Sequence, residues 1–276
     1  MAARPRVALA TSSGLPELFE DDRLALGPLA DLGVDAAPVV WDSGADWSAY
    51  DLVVVRSTWD YTLRREQFLD WACSVPRLAN PFEVLVWNTD KRYLGGLRDV
   101  PVVPTTFVAP GEAYEVPAYE HVVKPIVSAG ARDTRRFRAG EDSSPHARAL
   151  LRAGRTVMVQ PYQAAVDSAG ETALLLFGGA FSHAARKDPV LVTTLDHPDE
   201  VAITPRTASE PELEVAAAAV AAVPGGSPLL YARVDVVPGP DGTPVLMELE
   251  VTDPCLFLAQ DPGAPARFAA AVRAVV

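Results

Sequence analysis

Two apolar runs near the C-terminus, joined by turn-forming residues, constrain the fold of this chain more than any other feature. The segment 229–254 reads LLYARVDVVPGPDGTPVLMELEVTDP, and its central PGPDGTP contains the residue types that end a strand. This pattern predicts a two-stranded hairpin. Because side chains alternate along a strand, Arg233 and Asp235 share one face, and Glu248 and Glu250 share another. In the simplest register, three carboxylates and one guanidinium meet on one patch.

Carboxylates crowded in this way point to a hard divalent cation, because like charges at short range repel and raise each other's pKa. Mg²⁺ prefers oxygen ligands and commonly shares its coordination with substrate phosphates. Asp235, Glu248 and Glu250 are therefore candidate metal ligands. An exposed polar strand face would give the same pattern, so residues upstream have to decide between the two interpretations.

Composition and charge narrow the possible partners. The 276 residues are 49% hydrophobic, enough for one large domain or two to three small ones. The net charge of −12 argues against nucleic acid or a membrane as a partner, so an anionic ligand needs a local group of lysines and arginines. Two distant cysteines and short apolar runs predict a cytoplasmic protein without disulfides or membrane spans. The oligomeric state stays open between monomer and homodimer.

The first 85 residues alternate apolar strands with helical segments, which predicts a small doubly wound parallel sheet. Strands are expected at Val7–Ala10, Ala36–Trp41 and Leu52–Val55, and helices at Glu20–Leu32 and Arg64–Cys73. In such sheets, ligands bind outside the carboxyl ends of the strands. The residues that follow the third strand are therefore candidates for substrate binding.

Arg56, Trp59 and Asp60 occupy this position. An arginine can hold a substrate carboxylate with two parallel hydrogen bonds, while an aspartate holds an ammonium group. The alternative is a structural Arg–Asp pair beside a buried tryptophan.

The rest of the chain predicts two further regions. A short helix is expected to begin after Asn88 as its N-cap. Further strands are expected at Thr105–Val108, His121–Lys124, Thr134–Phe137, Thr156–Gln160, Glu171–Phe177, Ala180–Ala184 and Val190–Thr194. Further helices are expected near Pro145–Ala153, at Glu210–Val223 and from Pro265, and Gly178-Gly179 is read as a two-residue hairpin turn.

A candidate phosphate site follows the strand that ends at Lys124. A loop of small residues containing Ser128 and Gly130 comes next and runs to Thr134. Small residues let backbone N–H groups approach phosphate oxygens closely, and the lysine supplies positive charge. The segment lacks the GxxxxGK[ST] pattern of a Walker A loop. A hairpin with a flexible tip is the alternative.

Further polar residues lie at the ends of later strands. Gln160 and Tyr162 flank a proline in a connector whose backbone could read an adenine edge, and Glu171 could accept ribose hydroxyls. The alternative is that Glu171 is an ordinary surface glutamate. His183 and Lys187 share one face of a strand, and a structural histidine is the alternative to a substrate-binding one.

Taken in order, the motifs NTDK, VVKP with its glycine loop, QPY, GE, HAARK, RVD and ELE resemble the ATP-grasp superfamily of carboxylate–amine ligases. The resemblance covers nearly the whole chain and is greatest to small bacterial members near the cycloserine-forming cyclo-ligase. It implies an α/β fold with a doubly wound pre-grasp substrate domain at 1–87 and a small α+β lid domain at 88–162. A C-terminal mixed-sheet domain at 163–276 would carry the metal site.

The resemblance also implies roles for the matching residues. They are Lys91 and Lys124 for the nucleotide phosphates, Ser128 to Thr134 with Gly130 for the mobile lid, Gln160 and Tyr162 for adenine, Glu171 for ribose, Lys187 and Arg233 as catalytic groups near the transferred phosphate, and Asp235, Glu248 and Glu250 for magnesium. Many members have Asn at the position of Glu250 and Glu at that of Gln160. The implied cofactors are ATP and two Mg²⁺ ions, for which Mn²⁺ can substitute.

The implied activity is Mg-ATP-dependent joining of a carboxylate to a nitrogen on an amino acid or amino-acid derivative. It would proceed through an acylphosphate and release ADP and phosphate. Two alternatives remain: a cyclo-ligase that closes a ring within one amino-acid-derived substrate, and a non-catalytic nucleotide-binding module. The residues alone do not distinguish one substrate from two.

Overall fold

The structure, a computed structural model, describes residues 3–189, 191, 201–225 and 228–276. Its strands are β1 (Arg6–Thr11), β2 (Asp35–Val40), β3 (Leu52–Ser57), β4 (Leu78–Ala79), β5 (Thr106–Val108), β6 (His121–Pro125), β7 (Arg135–Phe137), β8 (Val157–Pro161), β9 (Glu171–Phe177), β10 (Ala180–Lys187), β11 (Ile203–Arg206), β12 (Tyr231–Pro238) and β13 (Pro244–Glu250). Its α-helices are α1 (Glu20–Arg23), α2 (Leu26–Asp31), α3 (Arg65–Ser74), α4 (Phe82–Asn88), α5 (Ser144–Arg152), α6 (Val166–Ala169), α7 (Glu210–Ala221) and α8 (Ala264–Arg273). Short 3-10 helices include Trp47–Ala49, Trp59–Leu63, Lys91–Gly96 and Leu258–Gln260.

The first sheet has the strand order β2-β1-β3-β4, and its neighbouring strands are all parallel. The predicted doubly wound sheet is therefore confirmed. β1 and β3 are buried along almost their whole length, as expected for strands covered on both faces. The two-residue strand β4 was not predicted, because it is too short to produce a pattern.

The single helix predicted for Glu20–Leu32 is wrong, because the structure divides it into α1 and α2. Pro28 has no backbone N–H and cannot donate to the carbonyl of Leu24, so a continuous helix would lack that hydrogen bond. The break leaves α1 as a short acidic helix that buries Asp21 and Asp22. Asp22 accepts hydrogen bonds from Arg56, and Asp21 accepts from the backbone N–H groups of Leu258 and Ala259.

Asn88 ends α4 and does not cap the helix that follows, so this prediction is also wrong. The 3-10 helix Lys91–Gly96 is instead capped by Asp90, whose side chain accepts a hydrogen bond from the backbone N–H of Arg92. The residues before Asn88 form α4 because Val84 and Leu85 pack into the core.

The third sheet has the order β11-β10-β9-β12-β13, and its paired strands are antiparallel. A parallel bridge between Val102 and Leu246 gives this region its mixed character. One face packs against the first sheet and α8, and the other packs against α7. Tyr93 and Leu94 belong to this second core, so the beginning of the expected lid segment packs on the C-terminal sheet. The second sheet, β5-β8-β6-β7, has a small core of its own with α5.

The turn between β9 and β10 consists of Gly178 and Gly179, as predicted. Both residues have positive φ, 56° and 81°, which is the backbone conformation of a tight two-residue hairpin turn. β10 continues three residues beyond its predicted end, to Lys187. The predicted strand Val190–Thr194 lies outside the described residues apart from Leu191.

Replacing Gly170 by alanine is expected to lower the free energy of unfolding by about 1–3 kcal/mol from backbone strain alone. Gly170 has φ 72° and ψ −169°, a region almost confined to glycine. An added Cβ would also lie 2.5 Å from the backbone oxygen of Lys187. Gly33→Ala is the matched control, because Gly33 has a positive φ but open space around its Cβ position. Urea denaturation should show the larger loss for Gly170→Ala, and equal losses would contradict the steric part of the argument.

Candidate active site

The predicted hairpin forms from β12 and β13, and its register opposes Arg233 to Glu250 and Asp235 to Glu248. A bulge follows Asp235, at the point where the pairing shifts by one residue. The predicted patch of three carboxylates and one guanidinium is therefore confirmed. β9 pairs with the other edge of β12 and adds Glu171 to the same face of the sheet.

Asp235 lies at the centre of this face and is 1% exposed. Its carboxylate accepts a hydrogen bond from Lys187 Nζ at 2.7 Å and from Arg233 Nε at 3.0 Å. Arg233 also donates to Glu250, and Lys187 donates to Glu171 Oε2 at 2.8 Å. Strand pairing thus places acidic and basic side chains in alternation across four adjacent strands, β10, β9, β12 and β13.

Two more lysines complete the charged cluster, which comprises Lys91, Lys124, Glu171, Lys187, Arg233, Asp235, Glu248 and Glu250. Lys91 Nζ lies 3.0 Å from Glu248 Oε1. Lys124 lies on β6 of the second sheet and interacts electrostatically with Glu248 and Glu171. The cluster therefore lies between the second and third sheets. It contains four basic and four acidic side chains, so its formal net charge is zero.

Lys91 is positioned by neighbours that were not predicted to matter. The hydroxyl of Tyr93 donates to the backbone oxygen of Leu249 and accepts from its N–H, both at 2.8 Å. The amide of Asn88 donates to the same oxygen at 2.7 Å and accepts from Val251 N at 2.9 Å. These bonds join the segment carrying Lys91 to the strand carrying Glu248.

Burial and opposite charges perturb the protonation of the cluster in different directions. Burial lowers the pKa of Lys124, an effect only partly offset by Glu248. Burial raises the pKa of Glu250 to about 6, against the opposing effect of Arg233. Burial acts in the same direction on Asp235, but Arg233 and Lys187 outweigh it and lower the pKa of that carboxyl. Asp235 is thereby held as an anion.

The small-residue loop after β6 lies beside the charged cluster. The backbone oxygen of Ser128 accepts a hydrogen bond from Lys91 Nζ at 2.7 Å. Gly130, Ala131 and Asp133 all have positive φ, so the loop turns sharply and repeatedly. The structure thus brings the predicted lid loop onto one of the predicted phosphate-binding lysines.

Gln160 and Tyr162 lie at the end of β8, and their side chains are engaged within the second sheet and its connections. Gln160 Nε2 donates to Thr105 Oγ1 at 2.8 Å. Tyr162 donates its hydroxyl to Asp167 and lies under the guanidinium of Arg136. The backbone N–H of Tyr162 also donates to the oxygen of Glu120 at 2.8 Å, so it is not free to read an adenine edge in the way that the sequence suggested.

Arg56 does not face an open cleft, which corrects the prediction that it holds a substrate carboxylate. It is 1% exposed, and its Nε and Nη2 donate to Asp22 Oδ1 at 3.0 and 2.8 Å. Nη2 also donates to the backbone oxygen of Pro254 at 2.6 Å. The structural Arg–Asp pair is the correct alternative, although its aspartate comes from α1, whose position was not predictable.

The ammonium site expected at Asp60 is likewise occupied by other groups. Asp60 forms an ion pair with Arg64 and accepts from the indole N–H of Trp41 at 3.1 Å. Trp59 donates its indole N–H to the backbone oxygen of Asp253 at 3.0 Å. Trp59 therefore lies at the boundary between the first and third sheets, and Asp60 does not.

His183 has a structural role. It is 5% exposed, and its Nε2 lies 3.1 and 3.0 Å from the backbone oxygens of Leu256 and Phe257. Burial lowers its pKa, so the ring is neutral near pH 7 with the proton on Nε2 directed to these two oxygens. It shares a face with Lys187, as predicted, but stabilises a loop.

That loop, the 252–257 segment, is the part of the site that sequence reasoning missed. Side chains from several elements donate to its successive backbone oxygens. The donors are the Tyr231 hydroxyl to Thr252, Trp59 to Asp253, Arg56 to Pro254, Arg233 to Cys255, and His183 to Leu256 and Phe257. The available signal was the Thr-Asp-Pro sequence at 252–254, which begins two residues after the end of β13.

The acidic side chains provide the oxygen donors that Mg²⁺ prefers. Within the described ranges, no group of three or more His, Cys, Asp or Glu side chains is arranged to hold a metal ion by itself. The reason is geometric, because Asp235, Glu248 and Glu250 are each turned toward a lysine or arginine. These carboxylates fit Mg²⁺ once an anionic ligand binds the lysines and the arginine in their place.

Comparison with known proteins agrees with this architecture. Residues 7–80 match the family model described as the N-terminal domain of the D-cycloserine synthetase DcsG. The chain is 36% identical to the cycloserine biosynthesis protein DcsG of Streptomyces lavendulae, over 96% of this chain and 95% of that protein. The part of the chain that the structure describes contains no helix long and apolar enough to cross a membrane.

Solved structures give the same result. The crystal structure of D-cycloserine synthetase DcsG is similar with a TM-score of 0.88 and 35% identity, over 98% of this chain and 99% of that one. A RimK domain ATP-grasp protein from Sphaerobacter thermophilus shares the fold with a TM-score of 0.67 and 19% identity, over 97% and 99% of the two chains. The chain therefore belongs to the ATP-grasp ligase family, near the D-cycloserine synthetase DcsG.

Proposed function

We propose that this protein is an ATP-dependent ligase that joins a carboxylate to a nitrogen atom of an amino acid or amino-acid derivative and releases ADP and phosphate. The charged cluster carries the proposal. Four basic and four acidic side chains meet between the second and third sheets, beside a loop of small residues. A protein that only bound nucleotide would have no need of so many acidic groups next to the phosphate-binding lysines.

The lysines of the cluster are suited to the phosphates of ATP. Lys91 and Lys124 flank the small-residue loop, and Lys187 and Arg233 lie deeper on the third sheet. Lys91, Lys187 and Arg233 each form an ion pair with a carboxylate of the cluster, and Lys124 interacts electrostatically with Glu248 and Glu171. A bound triphosphate would replace those carboxylates as the partner of the lysines, so nucleotide binding amounts to an exchange of ion pairs.

The released carboxylates are suited to the metal. Asp235, Glu248 and Glu250 would hold Mg²⁺, with Mn²⁺ as a substitute and two ions as the expected number. When bound, the metal offsets the negative charge that develops on the phosphates during transfer. Glu171 would bind the ribose hydroxyls in place of Lys187, and the connector from Gln160 to Tyr162 would lie beside adenine.

The reaction needs two steps. An oxygen of the substrate carboxylate attacks the γ-phosphorus of ATP, the bond to the β-phosphate oxygen breaks, and ADP leaves. A nitrogen then attacks the resulting acylphosphate, forming the C–N bond and releasing phosphate and a proton. Arg233 is placed to neutralise oxygen charge in both steps, and closure of the Ser128–Thr134 loop would exclude water.

A ring-closing version of the reaction is the second candidate. The full-length identity of 36% to DcsG favours it, because that protein is named for cycloserine biosynthesis. Cycloserine contains a cyclic amide, and opening that amide bond gives O-amino-serine, a serine with nitrogen on its side-chain oxygen. One molecule would then supply both the carboxylate and the nitrogen.

An ADP-release screen tests the proposal. Protein with Mg²⁺ and ATP is incubated with single amino acids, pairs of amino acids, and serine derivatives such as O-amino-serine, followed by mass spectrometry of the product. We expect ADP release above the substrate-free background, with a product lighter than its precursors by one water. Loss of water from a single molecule identifies ring closure, and condensation of two identifies ligation. ATP binding without ADP release across the panel would contradict the ligase function.

A further inference from the structure

A buried carboxylate outside the charged cluster lies at the boundary between the first and third sheets. Asp253 belongs to the 252–257 segment, three residues after Glu250, and is 5% exposed. Its Oδ2 accepts a hydrogen bond from Thr58 Oγ1 at 2.8 Å, just past the carboxyl end of β3. Its backbone oxygen accepts from Trp59, the next residue. Asp253 therefore occupies the crevice where open α/β sheets bind ligands.

The other oxygen of this carboxylate has no partner. Among the residues that the structure describes, none donates a hydrogen bond to Asp253 Oδ1, and no lysine or arginine forms an ion pair with the side chain. Oδ1 is nevertheless not sealed off from solvent. A buried carboxylate normally has its charge paired, because an unpaired one costs free energy. The missing partner is consistent with a ligand.

The nearby acidic groups that could compete for this role are already paired. Asp22 is bound by Arg56, and Asp60 by Arg64. Asp21 accepts hydrogen bonds from the backbone N–H groups of Leu258 and Ala259, both at 2.9 Å. Within the described part of the chain, Asp253 is thus the buried carboxyl group between the pre-grasp sheet and the charged cluster that has one oxygen without a donor.

We propose that Asp253 binds the α-ammonium group of the amino-acid substrate, an assignment that rests on the ligase function proposed above. The ammonium group donates to Oδ1 and replaces the missing charge, while Thr58 fixes the orientation of the carboxylate through Oδ2. The adjacent substrate carboxylate then extends toward Glu250 and Arg233, where it meets the γ-phosphate. Asp253 accordingly selects α-amino acids over acids that lack the amino group.

The isosteric change Asp253→Asn separates binding from folding. For the best substrate of the screen, we expect kcat/KM to fall at least about 100-fold, because the site loses its charge complement to the ammonium group. The probe pair is that substrate and its des-amino counterpart, which for O-amino-serine is 3-aminooxypropanoate. The variant should use the des-amino compound as well as the wild type does, so discrimination between the pair collapses. The KM for ATP should not change.

Thermal melting provides an independent readout. Burial raises the pKa of Asp253 well above its usual value, so its charged form opposes folding near pH 7 and the amide should melt no lower than the wild type. A purely structural carboxylate would give a lower melting temperature. Asp241→Asn is the matched control, because Asp241 lies exposed in the turn of the β12–β13 hairpin and should leave both kinetic constants unchanged.

The outcomes are distinguishable. Equal losses for both members of the probe pair, or unchanged discrimination, would overturn the role of Asp253 while leaving the ligase function intact. If Asp253→Asn does not fold, Thr58→Val keeps the charge and tests the orientation, with a smaller loss of discrimination expected. No ADP release by the wild type with any compound would overturn the ligase function and this inference together.

Discussion

Replacing Glu248 by glutamine or Asp235 by asparagine is expected to lower the rate of ADP formation by about 100- to 1000-fold or more. Each change keeps the shape of the side chain but removes a negative charge from the centre of the cluster. The remaining groups then carry excess positive charge and offer Mg²⁺ one anionic oxygen ligand fewer. ATP binding itself should weaken much less, because Glu248→Gln frees Lys91 and Asp235→Asn frees Lys187 for the phosphates. The measurement is substrate-dependent ADP release alongside equilibrium binding of ATP.

Glu214→Gln provides the control for this experiment. Glu214 is exposed on α7, which packs against the opposite face of the same sheet. The same chemical change there should leave ADP release within about threefold of the wild type, as surface substitutions usually have small effects. Normal turnover by Glu248→Gln and Asp235→Asn would contradict the assignment of these residues to the metal.

Arg56→Met is expected to destabilise the protein by about 3–5 kcal/mol, because it leaves the buried carboxylate of Asp22 without its partner. The guanidinium also packs over the ring of Tyr231, 4.9 Å from its centroid, so the loss includes packing. Thermal melting and urea denaturation measure the effect. In the fraction that folds, the KM for the amino-acid substrate should change little, since Arg56 reaches Pro254 and not the open site.

The double variant Arg56→Met with Asp22→Leu tests the cause. Removing both members of a buried pair avoids the unpaired charge, so much of the lost stability should return. Wild-type stability of Arg56→Met together with a large rise in KM would show instead that Arg56 binds the substrate. Failure of the double variant to recover any stability would assign the loss to packing over Tyr231.

Local patterns in the sequence were sufficient to predict the hairpin and its charges. Alternation along two strands, together with a short turn, determines which side chains share a face, so the carboxylates and Arg233 could be predicted to meet on one patch. The bulge after Asp235, which sets the pairing of Asp235 with Glu248, was not predicted. The parallel first sheet follows from its buried apolar strands in the same way. These features depend on residues close together in the chain.

Partners that are far apart in the chain were not predictable. Arg56 meets the oxygen of Pro254 across 198 residues, and nothing near either residue signals the contact. The ion pair between Asp60 and Arg64, in contrast, joins residues that are close in the chain. Arg64 follows Asp60 by four residues, and residues with this spacing are neighbours on a helical turn. That pair was available from spacing alone, whereas the position of Asp22 required the break between α1 and α2.

The 252–257 segment has a consequence for how the protein folds. Its backbone oxygens are satisfied by side chains from β3, β10 and β12 and from the turn after β3, so it cannot adopt its shape before those elements are in place. Contacts between residues so distant in sequence require closure of a long loop and form late. During synthesis, Arg56 and Trp59 therefore lack their hydrogen-bond acceptors in the 252–257 segment until almost the whole chain has emerged. The substrate end of the site is expected to be the last part to acquire protection from hydrogen exchange.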